Sequence, residues 1–335
     1  MVAGWSRWHV SGPSCFYCNK RLNLFVNAAE SPHHGCYFDP GGVYFREPRT
    51  ERAFRGIIGK EGDGPGEFRS INTIKTISDQ IVVLDEKRQL IKWFSLDNHD
   101  LQNSVQLEIS DNMEVARVND LFVINDQTFL LQFSKMISRS ERMRHYSILD
   151  HSDERIHDKF LEHPDSDIFS DNTDGFAIAM VLPFADKPLV AVSNKSDIYK
   201  AWNNDFLVKK YNYEGEYKSA FYYLFENEEL VRRDVLEMYD DRFRRAIQNA
   251  DFPEHWPALN DMLIDDENRL WASTIVEDFD LYEWWVLEDT GELITKFEWP
   301  RDEPIEVIKN GKMYTRETDE ETGLQQVVRY GFEMD

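Results

Sequence analysis

Four residues near the start of the chain have the types and spacing of a metal centre. Cys15-x2-Cys18, followed by His33-x2-Cys36, supplies three thiols and an imidazole, the donor set of a tetrahedral zinc knuckle. They stand in a stretch without sustained periodicity. A zinc knuckle, packed thiols and a Cys15–Cys18 disulfide therefore all stay open, and no metal is assigned. A second candidate is cationic. Lys135, Arg139, Arg142 and Arg144 fall between Ser134 and His145, with Glu141 the only acid among them. Guanidinium forks match carboxylates and phosphates, so these four are the expected contacts for a small anionic ligand or an acidic segment of a partner protein. Local balancing of acidic neighbours is the alternative.

Other constellations carry less. The glycines from Gly59 to Gly66 do not make a phosphate loop, which needs Gly-Lys-Ser/Thr opening a helix. Here Pro65 and Glu67 follow Gly64 and a strand comes next, so no nucleotide and no other cofactor is expected. Asp265-Asp266-Glu267 and Glu277-Asp278-Phe279-Asp280 lack the twelve-residue frame of a calcium loop and read as solvated turns. His145, His151, His157 and His163 recur every six residues, but a turn interrupts any shared strand face. No nucleophile elbow is present, so catalytic residues stay unidentified.

Composition narrows the classes. Lys plus Arg number 38 and Asp plus Glu 62, a formal net charge of −24 over 335 residues. A sequence-independent grip on nucleic acid or an anionic bilayer needs the opposite sign. No run of about 18 apolar residues is present to span a membrane. Three cysteines are too few for a disulfide scaffold, while 41% hydrophobic and 13% aromatic residues suffice for a core.

The elements that must position any site are short strands. Ile71–Ile77, Ile81–Leu84, Leu90–Phe94 and Val105–Leu107 form a four-stranded antiparallel meander with polar turns between them. The unit recurs, with second strands expected near Ile81, Phe129, Leu189, Leu270 and Met313. Apolar runs such as Ile81-Val82-Val83-Leu84 need cover on both faces, which stacked blades provide and a flat sandwich does not. The last copy stops one strand short, and residues 43–58 resemble the final two strands of another. The reading is an all-β fold, a six-bladed β-propeller of four-stranded antiparallel blades. One helical insertion, about 226–250, sits between the fourth and fifth blades, where Leu236, Tyr239, Phe243 and Ile247 follow helical spacing. Residues 1–42 are an atypical segment that could lend a ring-closing strand, and 43–335 are the propeller.

Gly59-Lys60-Glu61-Gly62-Asp63-Gly64-Pro65-Gly66-Glu67-Phe68, followed by Ile81-Val82-Val83-Leu84-Asp85, resembles the bacterial six-bladed β-propellers related to NHL repeats. Asp265 to Trp271, Trp284-Trp285-Val286-Leu287 and Gly291-Glu292-Leu293 are similar too. The resemblance covers roughly residues 43–335. It implies the fold and a glycine element joining two blades, and it suggests a periplasmic or extracellular setting, although no export signal is legible. It implies no reaction, because propellers host binding modules and enzymes alike. In such a meander the second-to-third-strand loops share a ring face with the blade-to-blade connections. The basic residues are therefore expected beside the glycine element, Asn194 to Asn204 and the helical insertion. The expected function is non-enzymatic binding on that loop face by a monomer. A metal-dependent hydrolase or lyase working in the channel is the alternative.

Overall fold

The computed structural model describes strands 6–8, 35–39 and 42–46. From residue 54 onward it describes all but 108–115, 138–141, 151–154, 165–167, 174–175, 249, 320–322 and 335. Antiparallel meanders follow one another along the chain. After β1 (Ser6–Trp8), a three-stranded sheet holds β2 (Gly35–Asp39), β3 (Gly42–Arg46) and β4 (Phe54–Ile58). The next blade is β5 (Ile71–Ile77), β6 (Gln80–Asp85), β7 (Leu90–Ser95) and β8 (Leu101–Gln106). Then come β9 (Ala116–Asn125), β10 (Thr128–Met136), β11 (Arg142–Asp150) and β12 (Arg155–Pro164). A hairpin of β13 (Ile168–Thr173) and β14 (Phe176–Val181) intervenes. The following blade has β15 (Pro188–Val192), β16 (Ile198–Trp202), β17 (Leu207–Tyr211) and β18 (Tyr217–Tyr222). Its successor has β19 (Leu259–Ile264), β20 (Leu270–Ile275), β21 (Leu281–Leu287) and β22 (Leu293–Pro300). β23 (Ile305–Lys309), β24 (Lys312–Thr318) and β25 (Gln325–Gly331) end the chain, and β1 pairs with β25 as the fourth strand of that sheet, Ser6 opposite Gly331.

The first strand of each blade is innermost: β5 touches β9, β9 touches β15, β15 touches β19 and β19 touches β23. This is an all-β propeller. Its core is a series of seams between neighbouring blades. Alternate residues of one strand serve two seams: Val82 and Leu84 pack with Phe129 and Leu131, while Ile81 and Val83 pack with Ile58 and Phe68. That explains why β6 reads as an unbroken apolar run.

Two rims differ. On one, the turns after the first strands are tied to each other. Ser78 Oγ donates to Asp126, Ser196 Oγ to the Ile124 carbonyl and Asn194 Nδ2 to the Asp266 carbonyl, while the Asn310 N–H donates to the Asp266 carboxylate. The other rim carries the insertions. The expected helix over 226–250 is two short ones, α1 (Arg232–Glu237) and α2 (Asp241–Ile247). Asp240 accounts for the break, its carboxylate accepting the Phe243 N–H at 3.1 Å as a helix cap. Val235 and Ile247 pack onto Leu182, Phe184 and Trp256 over the blade ends.

One blade differs from its sequence reading. The stretch Asn194 to Asn204 is not a single loop but contains β16, so Leu189 belongs to a first strand, not a second. Five residues broken by Lys200 and flanked by Asn, Ser and Asp carry little local pattern, and burial between blades decides their structure. In consequence Asn194 lies on the tied rim and Asn203 on the insertion rim.

Candidate ligand-binding site

The seam between the β9–β12 and β15–β18 blades changes character along its length. Its lower part is ordinary core: Leu130, Tyr146, Ile148, Leu161 and Ile198. Strand alternation then puts Lys200 and Trp202 on the same face as Ile198, whereas Tyr199 and Ala201 pack into the next seam. On the facing blade one rung of residues runs Arg117, Ser134, Arg144, His163 across all four strands. His163 is buried and lies 5.4 Å from the Trp202 ring, which joins the two blades. Below that rung the Tyr146 hydroxyl donates to Gln132 at 3.0 Å.

Among the described residues no hydrogen bond or ion pair is recorded for Lys200 Nζ, and none reaches the buried His163 Nε2. Burial, and then the like charge of Lys209, lowers the Lys200 ammonium to about 8. Burial, then Lys200 and Arg144, lowers the His163 imidazole to about 4. Two cationic side chains thus bear on a neutral imidazole in a partly dry seam of a strongly acidic chain.

The imidazole gives a pH signature. Unfolded, His163 takes up a proton near pH 6.5; folded, it refuses one until about pH 4. Stability therefore falls as pH drops through that window, by on the order of 3 kcal/mol in total. His163→Phe is expected to remove this component, so that the difference in urea-unfolding free energy between the two proteins shifts by about 3 kcal/mol in the variant's favour from pH 6.5 down to pH 4. A constant gap across the window would exclude it.

A second polar arrangement lines the axis. Four innermost strands carry a β-bulge near their insertion-rim ends, at Asn72, Asn119, Asn260 and Glu306. A bulge re-aims the extra residue. Asn72 Nδ2 donates to the Asn119 carbonyl, Thr73 Oγ1 to Asp120 at 2.6 Å, and Arg316 Nε to Glu306 at 3.0 Å. Burial raises the carboxyl groups of Asp261 and Glu306; Lys187 and the Met262 N–H oppose this at Asp261, Arg316 and Lys75 at Glu306. Among the described residues, no three His, Cys, Asp or Glu are grouped to hold a metal.

Of the four basic residues expected to act together, the two whose side chains are described, Arg144 and Lys135, stand on opposite faces. Arg144 joins the seam on β11, whereas Lys135 projects from the opposite face of β10, and neither stands in a loop. Arg142 is the first residue of β11, with only its strand position described, and Arg139 lies outside the described residues. Cys15, Cys18 and His33 lie outside them too, and Cys36 is placed only as a residue of β2. Sequence reading missed His163, Lys200 and Trp202, because only the pairing of two blades makes them neighbours. The bulges did leave a signal. Ile71-Asn72-Thr73-Ile74, Val118-Asn119-Asp120-Leu121, Leu259-Asn260-Asp261-Met262 and Ile305-Glu306-Val307-Ile308 share one pattern, with buried apolar ends and a polar second residue.

A family model described as 6-bladed beta-propeller (DUF5128) matches residues 50–266, more than half of the chain. The structure is similar to that of a protein from Bacteroides fragilis, with TM-score 0.53 and 11% identity, covering 100% of this chain and 95% of the other. It is also similar to a member of the duf4221 family from Bacteroides vulgatus, with TM-score 0.51 and 10% identity, covering 99% and 98%. Likeness at that identity speaks for the fold alone. Among curated proteins none matches.

Proposed function

The chain belongs to the six-bladed β-propeller family whose model spans residues 50–266, and on that premise we propose that it is a non-enzymatic binding scaffold. Its ligand is a small anion, carrying a carboxylate or phosphate, held at the insertion-rim end of the polar seam. Lys200 and Arg144 supply charge, His163 a polar contact and Trp202 a flat apolar wall. The observation that carries the reading is Lys200, a partly buried ammonium with no counter-ion among the described residues, in a chain of net charge −24. An anion seated there relieves both the repulsion from Lys209 and the missing solvation.

Such a residue lowers stability until it is occupied, which gives the test. Lys200→Met is expected to raise the unfolding free energy at neutral pH by about 1–3 kcal/mol, since the half-buried charge and its repulsion from Lys209 disappear. The same variant is expected to lose binding of inorganic phosphate and of succinate, read by isothermal titration at low ionic strength. Gain of stability with loss of binding marks a side chain kept for recognition. A variant that is less stable than the parent, or that binds both anions unchanged, overturns the reading, as does a parent that binds neither.

A channel hydrolase is the second reading, favoured by Asp261 and Glu306, two carboxyl groups raised by burial on the touching strands β19 and β23. Arg316 holds Glu306 in an ion pair at 3.0 Å, and Asp261 accepts the Met262 N–H at 2.7 Å, so both carboxylates already have structural partners.

A further inference from the structure

The amine of Lys200 differs from the other described lysines of its blade. Lys210 is clamped by Asp197 at 2.9 Å, Lys218 by the same carboxylate at 2.6 Å and Lys195 by Asp289 at 2.6 Å. Lys209, its cross-strand neighbour, is exposed. Lys200 alone among them is half-buried, has no carboxylate partner among the described residues, and shares its seam with an imidazole whose Nε2 is unbonded. The charged groups that shift Lys200 and the neighbouring imidazole are cationic: Lys209 on its own sheet, and Arg144 across the seam at His163. Tyr146 is committed to Gln132.

We propose that Lys200 captures the carbonyl of a small 2-oxo acid as a reversible imine, an inference that rests on the anion reading of the same seam. The carboxylate of the acid sits in the cationic field of Arg144 and Lys209, and its carbonyl carbon faces the amine. The nitrogen lone pair forms the new C–N bond, and the carbonyl oxygen takes up a proton to give the carbinolamine. That hydroxyl leaves as water, taking with it the second hydrogen of the neutral amine, so amine and carbonyl become imine and one water. His163, neutral above about pH 4, supplies a nitrogen able to pass the protons. The amine is ready for the step because burial and like charge bring its titration to about 8. About a tenth is then unprotonated at neutral pH, some hundreds of times the share in an ordinary lysine.

The test uses the whole chain with glyoxylate or pyruvate and cyanoborohydride, which reduces any imine to a stable secondary amine, read by peptide mass spectrometry. Lys200 is expected to be modified at least about tenfold faster than Lys209 or Lys195. Added inorganic phosphate slows it. Lys200→Arg, which has no primary amine to form the imine, is expected to show no accelerated site. If Lys200 is modified no faster than Lys209 while phosphate still binds, the imine is wrong and the anion site stands. If neither occurs, both fall.

Discussion

Replacing Asp265 with alanine is expected to lower the unfolding free energy by about 3–5 kcal/mol, the range for removing one partner of a buried charged network. The carboxylate is fully buried, contrary to the solvated turn expected from Asp265-Asp266-Glu267. It accepts the Arg269 Nε at 2.6 Å, the Trp271 Nε1 at 2.9 Å and the backbone N–H groups of Glu267 and Arg269 at 3.0 and 2.8 Å. Alanine leaves four donors without that acceptor. Arg269 keeps Glu267 at 3.0 Å, but the indole N–H is left in the core. Asp265→Asn retains an oxygen for the backbone donors and loses the charge, so about half the effect is expected. Urea titrations with unchanged m-values check both, and an alanine variant within about 1 kcal/mol of the parent would refute the network's importance.

The second large effect lies in the glycine element. Gly59 has φ +62°, and a Cβ there would overlap both the Gly66 carbonyl oxygen and the Phe68 ring. Phe68 cannot retreat, because it is buried against Phe94 at 5.6 Å with the Lys92 ammonium 4.9 Å over its ring. The loop closes on itself by Gly62 N–H to Phe68 O at 3.0 Å and Phe68 N–H to Lys60 O at 2.9 Å, and Lys92 also donates to the Glu67 carbonyl. Gly59→Ala is expected to be destabilised by at least about 3 kcal/mol, from left-handed strain plus displaced core. Gly66→Ala carries the strain alone, with φ +74° and only Phe94 nearby at 3.8 Å, and is expected to lose about 1 kcal/mol. Gly64→Ala has no left-handed strain and meets only the Glu67 carboxylate, at 3.0 Å, which the Gly64 N–H holds at 2.7 Å, so it is expected to lose less than about 1 kcal/mol. Equal melting temperatures for the three variants would show that crowding around Gly59 is not what holds the element.

What could be read from the sequence follows the range of the interactions involved. Ile81-Val82-Val83-Leu84 announced a doubly covered strand because burial on two faces removes alternation locally, and the ten-residue glycine element is short and contiguous. β16 was hidden because Lys200 breaks its apolar run for a reason that lies in another blade. The same distance effect concealed His163, which reads as one of four evenly spaced histidines until β12 is laid beside β16. Arg144 was singled out with its neighbours Lys135 and Arg142, but pleating sends Lys135 to the opposite face. Asp265 read as one acid among many, since nothing local shows that Trp271 and Arg269 turn towards it.

The tied turns on one rim bear on how the molecule could be re-engineered. Ser78, Ser196 and Asn310 adopt left-handed conformations there and lie at or beside residues that bond to the adjacent blade. A guest peptide spliced into those hairpins would unlatch two blades at once. The connections from Val181 to Pro188 and from Tyr222 to Leu259 already carry extra chain, and doubling a flexible loop adds only about 0.6 kcal/mol of closure entropy. Epitopes or affinity tags for display therefore belong on that side, and a library built there would diversify the surroundings of Lys200 while the opposite side keeps the circle rigid.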